Sequence, residues 1–373
     1  MLYWIAPYLT ELWGPFRLFS SHMMLLAAGA LTGGLVVWSF LPRLWHRLPT
    51  DRGKRLAADG GQVSAGKPTG AGLLLALLLV PVIALFVPMG IWEFGTVVFL
   101  YLSMLFGYLD DSSSLPWGEF KKGALDLAVA LGAAYCLYRG HGSYVWLPFF
   151  KQAIDIPLAV YVPGAAALLW FTMNATNCSD GVDGLAGSLT LLSLFALAGL
   201  LYGVIGYRPI ADYLLIPHNP DGARWAILVA TMAGSLAGYL WHNAEPSRVL
   251  MGDAGSRLLG MLVGVAVLVA GNPFLIVVVS PVVLVNGGTG LFKLILLRMF
   301  RRIGFDVRPP HTLTPEAASR QHVLIKMLHS VRFPLHDHCR KNMRWSNAQV
   351  LMRFVLIQSF LTPLLFVILV KIR

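Results

Sequence analysis

A chain of 373 residues that is 57% hydrophobic and only 13% charged, with a mean hydropathy of +0.67, has the composition of a polytopic membrane protein and not of a soluble enzyme. Its net charge of +11 reports membrane topology first. No basic face with interleaved aromatics appears, so no nucleic-acid partner is expected.

Met1 to Ser20 lacks a basic leading region and a cleavage site, and does not read as a signal peptide. Its Tyr3, Trp4, Tyr8, Trp13 and Phe16 suit a short segment at the bilayer interface. Ten apolar spans of about the 17 to 25 residues a bilayer requires follow. They fall near 21–41, 70–89, 92–109, 123–139, 157–175, 184–205, 224–242, 256–272, 274–299 and 348–370. The expected fold is therefore all-α and polytopic, with about ten transmembrane helices in one integral membrane domain over 1–373. Cys136, Cys178 and Cys339 show neither paired nor metal-ligand spacing.

An even number of spans puts both termini on one side. Most of the 29 Lys and Arg lie in the odd-numbered connections. These carry Arg43, Arg47, Arg52, Lys54, Arg55, Lys67, Lys121, Lys122, Arg248 and Arg257, then a further run from Arg298 to Arg344. The even-numbered ones carry Arg139, Lys151, Arg208 and Arg224. By the positive-inside rule the odd connections are cytoplasmic and both termini external.

Every acidic cluster of interest then lies on the cytoplasmic face. The first such connection ends in Gly66-Lys67-Pro68-Thr69, which reads either as a turn into a helix or as a cation and a hydroxyl set near a phosphate. The third span ends in Asp110-Asp111. Adjacent carboxylates repel, and a divalent cation or a cationic partner would relieve them; a solvated helix end is the alternative. Asp126, inside the fourth span, reads as reaching the surface or pairing with Lys122 four residues earlier. The external residues Tyr144 to Phe150 and Ile154 to Val162 suggest a small β-hairpin.

Asn174 to Ser188 is a polar, acidic break between two apolar spans. Asp180 and Asp183 lie three apart and face one way if a helix begins there. Gly181, Gly184 and Gly187 leave room for a ligand or a neighbouring backbone. Charges at the mouth of a membrane bundle are costly and usually mark a site. Asp253 sits just before the eighth span, where a helix N-terminus favours phosphate or the carboxylate serves as a cap. In the last connection, Thr314-Pro315-Glu316 is a helix start. Val323, Leu324, Met327, Leu328 and Val331 form one apolar stripe. The cytoplasmic segment 303–345 thus reads as amphipathic and lying on the inner leaflet. His336-Asp337-His338 follows, either an anion-binding cluster or a polar interfacial loop.

Together these stretches resemble the polyprenyl-phosphate N-acetylhexosamine-1-phosphate transferase superfamily, and within it the phospho-N-acetylmuramoyl-pentapeptide transferase branch. The resemblance rests on Asp110-Asp111, on Asn-x-x-Asn-x-x-Asp-Gly-x-Asp-Gly at 174–184, on Met-Gly-Asp-x-Gly-Ser at 251–256 and on Pro-Leu-His-Asp-His at 334–338. It implies a Mg²⁺-dependent transfer of phospho-sugar from UDP-MurNAc-pentapeptide to undecaprenyl phosphate, giving lipid I and UMP, at the cytoplasmic face of the bacterial cytoplasmic membrane. By that resemblance Asp253 binds Mg²⁺, Asp110 is a base or a nucleophile, Asp111 supports metal or phosphate, and His336 assists at the phosphates. Asn174, Asn177, Asp180, Asp183, Asn243, Lys67, Thr69, Leu250 and His338 bind substrate, and a homodimer is implied.

The chain departs from the family pattern in four places. Asp337 replaces a middle histidine, Leu250 a phenylalanine that stacks on the base, and Ser64 a basic residue for which Lys67 substitutes. The segment from Phe305 to Ser330 is longer than usual. The alternatives are a GlcNAc-1-phosphate transferase using UDP-GlcNAc, which the altered histidine loop favours, and a non-enzymatic transporter. Against the transporter, the acids cluster at one face and no inverted repeat is apparent.

Overall fold

Inside hydrocarbon every backbone N–H and C=O must be satisfied within the chain, and an α-helix does this without a partner. The computed structural model describes residues 1–51, 65–113, 115, 117–147, 150 and 152–371, and is helical almost throughout. Short helical turns aside, the helices are α1 (Leu2–Leu12), α2 (His22–Leu44), α3 (Ala71–Phe86), α4 (Ile91–Ser112), α5 (Glu119–His141), α6 (Leu158–Ser179) and α7 (Leu185–Leu200). They continue as α8 (Gly222–Asn243), α9 (Gly252–Val269), α10 (Thr289–Arg302), α11 (Pro315–Arg320), α12 (Val323–Ser330), α13 (Leu335–Lys341) and α14 (Asn347–Lys371). Among the described residues eight helical stretches are long and apolar enough to cross a bilayer. The 16-residue α3 and the charge-bearing α5 occupy the other two predicted spans. The protein is an all-α polytopic membrane protein.

Helices α8 and α9 form the centre, and α9 beyond Arg257 is apolar on every side, as a helix without a solvated face must be. Small residues let the backbones meet. A Cβ at Gly234 of α8 would stand 2.0 Å from the Ala30 carbonyl oxygen of α2, and one at Gly238 2.3 Å from that of Gly34. Close approach through small residues is how helices associate where no hydrophobic effect drives them.

Several sequence expectations are corrected. The ninth span is not one helix. Leu275–Val279 stops at Ser280 (φ −132°, ψ 42°), the chain restarts at Pro281, and a π-helical stretch, Leu284–Gly288, precedes α10. Proline lacks the N–H and bars its predecessor from helical geometry. The eighth span begins earlier, at Gly252, so Asp253 lies inside its first turn. Asp180 and Asp183 do not share a helix face. Helix α6 ends at Ser179, Asp180 has φ −86° and ψ 70°, and Gly184 takes a left-handed φ of 75° before α7 starts.

The predicted hairpin forms as β1 (Tyr144–Val145) and β2 (Ile154–Asp155), antiparallel with Tyr144 opposite Asp155. Residues after Pro157 join α6 instead. The stretch from Thr314 to Val331 is two helices, α11 and α12, with a break between them. Gln321, buried at the break, donates from Nε2 to the carbonyls of Asp306 (3.0 Å) and Arg308 (2.8 Å). Val331 lies past the end of α12, while Val323, Leu324 and Met327 stay exposed. Hydrogen bonds from Arg308 hold the Asp306 carboxyl down at about 2. The cations Arg52, Lys54, Arg55 and Lys151, and Ser64, lie outside the described residues.

Candidate active site

The ends of α4 and α6 and the beginnings of α3, α5 and α9 lie at one end of the bundle, because successive helices alternate in direction. Three glycines bring α9 into that convergence. A Cβ at Gly107 of α4 would stand 2.5 Å from the Asp253 carbonyl oxygen, and one at Gly72 of α3 2.1 Å from the Gly255 nitrogen. Gly252, at φ 70°, would place a Cβ 2.4 Å from an Asp111 carboxylate oxygen.

The two adjacent aspartates do different things. Asp111 reaches across to α9, where its Oδ1 and Oδ2 accept the backbone N–H groups of Asp253 and Ala254, each at 3.1 Å. It caps a helix on which Met251 offers no side-chain cap. The N-cap reading of Asp253 is therefore corrected: its carboxylate is left for other work. Asp110, buried, accepts the Trp117 N–H on Oδ1 at 3.0 Å and pairs through Oδ2 with the Lys122 ammonium. The same ammonium lies 3.5 Å from Asp253 Oδ2. Asn177 donates from Nδ2 to Asp253 Oδ1 at 2.9 Å and also to Ser256 Oγ at 2.9 Å. Arg257, one turn along α9, places Nη2 3.6 Å from Asp253 Oδ2.

A second group adjoins the first through paired backbone. Leu250 donates its N–H to the Pro68 carbonyl at 2.8 Å, and its own carbonyl accepts from Ala71 at 3.1 Å. Lys67 Nζ, next along, reaches Asp183 Oδ2 at 3.6 Å and Ser247 Oγ at 3.0 Å. The Ser247 N–H also binds Asp183 Oδ2, at 3.1 Å. Thr69 donates its N–H to the Pro49 carbonyl. Asn243 is a buried strut: Oδ1 accepts the Gly184 N–H at 2.9 Å and Nδ2 donates to the Val249 carbonyl at 2.8 Å. His336 is buried against the 180–184 turn, with Nε2 nearest the space a Gly181 Cβ would fill. Its Nδ1 lies 3.1 Å from Asn286 Oδ1, an atom that only accepts, so Nδ1 carries the proton.

Other predicted site residues face elsewhere. Asn174 donates to the Trp170 carbonyl at 2.9 Å and to Asp126 at 3.4 Å, deeper in the bundle. His338 Nδ1 accepts the Arg332 N–H, and Asp337 lies beside Arg340 and Lys341. Asp180 terminates α6. Asp126 does not pair with Lys122. It is fully buried against Arg257 Nη1 at 2.6 Å, so Arg257 is an interior residue and not a topology-setting surface charge. Sequence reading missed Lys122 and Arg257 as members of the site. A signal was present for Arg257, which sits four residues from Asp253 and is a lone charge inside an apolar span that needs a buried partner; for Lys122 the i, i+4 spacing pointed to Asp126, which is not its partner.

Carboxylates, ammonium groups and an amide gather at the rim of an apolar bundle, an arrangement of fixed and mobile charge suited to binding anionic groups at a membrane surface. The profile described as glycosyl transferase family 4 matches residues 94–271, which hold all of the Asp110–Asp253 cluster. The chain is 41% identical to the phospho-N-acetylmuramoyl-pentapeptide-transferase of Treponema pallidum (strain Nichols), over 99% of this chain and 96% of that one. It is 28% identical to the enzymes of that name from Bartonella quintana (90% of each chain) and Koribacter versatilis (95% of each). The chain belongs to the phospho-N-acetylmuramoyl-pentapeptide-transferase family and is a phospho-sugar transferase.

Proposed function

We propose that this protein transfers phospho-N-acetylmuramoyl-pentapeptide from UDP-MurNAc-pentapeptide to undecaprenyl phosphate, releasing UMP and forming lipid I for peptidoglycan synthesis. The observation that carries this reading is Lys122 set between Asp110 and Asp253, in a chain that matches transferases of that name nearly end to end. The excess of Lys and Arg at the Asp110–Asp253 end supports placing the chemistry on the cytoplasmic face of the bacterial cytoplasmic membrane.

Both substrates are polyanions and repel each other. Among the described residues no three His, Cys, Asp or Glu side chains gather to hold a metal unaided. Mg²⁺ does not require that: it takes one or two carboxylates and completes its shell with water and substrate phosphate. The Lys122 ammonium between two hard carboxylate oxygens is a stand-in for such an ion. Asp253, with Asp110 beside it, would hold Mg²⁺, which when bound neutralises charge on the pyrophosphate and on departing UMP.

The protein's own groups do the rest. Lys122 attracts phosphate to the gap between the two aspartates. Asp110, steadied through Oδ1 by Trp117, keeps Oδ2 to take the proton from the lipid phosphate or to attack phosphorus itself. Lys67 and Asp183 bind the nucleotide portion, and His336, with Nδ1–H held by Asn286, serves the phosphates from Nε2 when that nitrogen is protonated as well. Purified protein given UDP-MurNAc-pentapeptide, undecaprenyl phosphate and Mg²⁺ should release UMP. Release from UDP-GlcNAc in its place would move the assignment to the GlcNAc-1-phosphate transferases, a reading that Asp337 in the histidine loop keeps open.

A further inference from the structure

Five charges run in alternating sign from the rim into the bundle: Asp110, Lys122, Asp253, Arg257 and Asp126. The first three have roles above, and the last two do not. Burying an ion pair costs several kcal/mol per ion, and an apolar pair of like volume usually serves stability as well or better. Stability alone therefore does not account for Arg257 and Asp126.

The two cations that face Asp253 Oδ2 differ in freedom. The Lys122 side chain is 27% exposed on a flexible stem and can leave when phosphate arrives. Arg257 is 4% exposed, and Nη1 is fixed to Asp126 at 2.6 Å. Asp126 is fixed in turn by Asn174 at 3.4 Å. A guanidinium is a rigid plane, so anchoring Nη1 decides where Nη2 points. It points to Asp253 Oδ2, while Asn177 holds Oδ1.

We infer that Arg257, anchored by Asp126, is a positioning residue that fixes the Asp253 carboxylate and sets how weakly the site holds a divalent cation. This rests on the reading that Asp253 binds that cation. A permanent positive charge beside the ligand opposes a second cation, and Asp126 returns part of what Arg257 takes away. The site is thereby kept exchangeable, and its carboxylate stays oriented once Lys122 has moved aside.

The test is Mn²⁺ binding to detergent-purified protein, read from the electron paramagnetic resonance of free Mn²⁺, alongside turnover. Asp253→Ala should abolish binding; wild-type binding in that variant overturns the cation reading and this inference with it. Asp126→Asn leaves Arg257 uncompensated and should weaken Mn²⁺ binding by roughly tenfold, about one pK unit's worth of charge interaction. Asp126→Leu with Arg257→Met removes the fixed opposing charge and should tighten binding by a similar factor. That double variant should also lower kcat, with the KM for the sugar nucleotide unchanged. Arg257→Lys, which has no second fork for Asp253, should shift binding toward the double variant, and it decides the matter should the double variant not fold. Folded variants that all bind Mn²⁺ as the wild type does, while Asp253→Ala does not, would make the pair purely structural.

Discussion

At the site the neighbouring aspartates 110 and 111 divide the labour, and substitution should separate them. Asp110 presents Oδ2 to Lys122, whereas both oxygens of Asp111 are used on the α9 backbone. Asp110→Asn keeps size and the Trp117 hydrogen bond but removes the charge that pairs with Lys122 and the proposed base. Turnover should fall by orders of magnitude while thermal stability stays near wild type. Asp111→Ala exposes two helix-terminal N–H groups and should cost about 1–2 kcal/mol of stability, the range for a lost cap, together with activity. Asp111→Asn, which still offers one acceptor oxygen, should recover part of both. Lys122→Met should depress turnover as strongly as Asp110→Asn, because Arg257 reaches only Asp253 and Asp110 is then left without its cation before substrate enters. Steady-state UMP release and thermal melts of the four variants check these expectations, and equal melting of Asp111→Ala and wild type would remove the capping role.

Among the elements, α9 matters most, and its place depends on contacts that leave no room for a methyl group. Gly72→Ala and Gly107→Ala drive a Cβ into α9 backbone at 2.1 and 2.5 Å. Backbone cannot rotate away as a side chain can. Each should destabilise by about 1–3 kcal/mol or more, the usual cost of overpacking, and displace Asp253. Gly164→Ala on α6 meets nothing within 4 Å and should be neutral or slightly stabilising, since alanine favours helix by up to about 1 kcal/mol. Comparable melting of all three would mean that the α3–α4–α9 convergence is loose. The element scale also shows what could be read from sequence. The spans were legible because apolar runs of bilayer length have few other uses. Asp110, Asp111 and Asp253 stood out because carboxylates are costly beside a membrane. Tertiary pairing was hidden. Asp126 and Arg257 are 131 residues apart, and nothing local to either tells Asp126 to prefer Arg257 over Lys122. The break at Gln321 was hidden for the same reason, since its partners Asp306 and Arg308 lie in another loop.

Over the whole molecule the two ends of the bundle differ in charge, and this asymmetry should fix its orientation. The Asp110 end carries Arg43, Arg47, Lys67, Lys121, Lys122, Arg298, Arg301 and Arg302, while Arg139, Arg208 and Arg224 lie at the other. At that far end the charges pair among themselves. Arg224 meets Glu93 and Asp221, and Asp221 lies 3.6 Å from His141 Nδ1. Topology follows the number of Lys and Arg near the span ends, with acids counting for little, so the end that carries fewer of them should face outward and the Asp110 end inward. Native cysteines interfere little with a labelling test, since Cys136 and Cys339 are buried. In a Cys178→Ser background, Tyr213→Cys lies at the far end, where residue 213 is 84% exposed. Glu119→Cys lies at the catalytic end, where the glutamate side chain is 76% exposed. A membrane-impermeant maleimide applied to spheroplasts should label Tyr213→Cys at once and Glu119→Cys only after permeabilisation. The reverse pattern would put Asp110 and Asp253 outside, away from any cytosolic nucleotide sugar, and the proposed reaction would lose its donor.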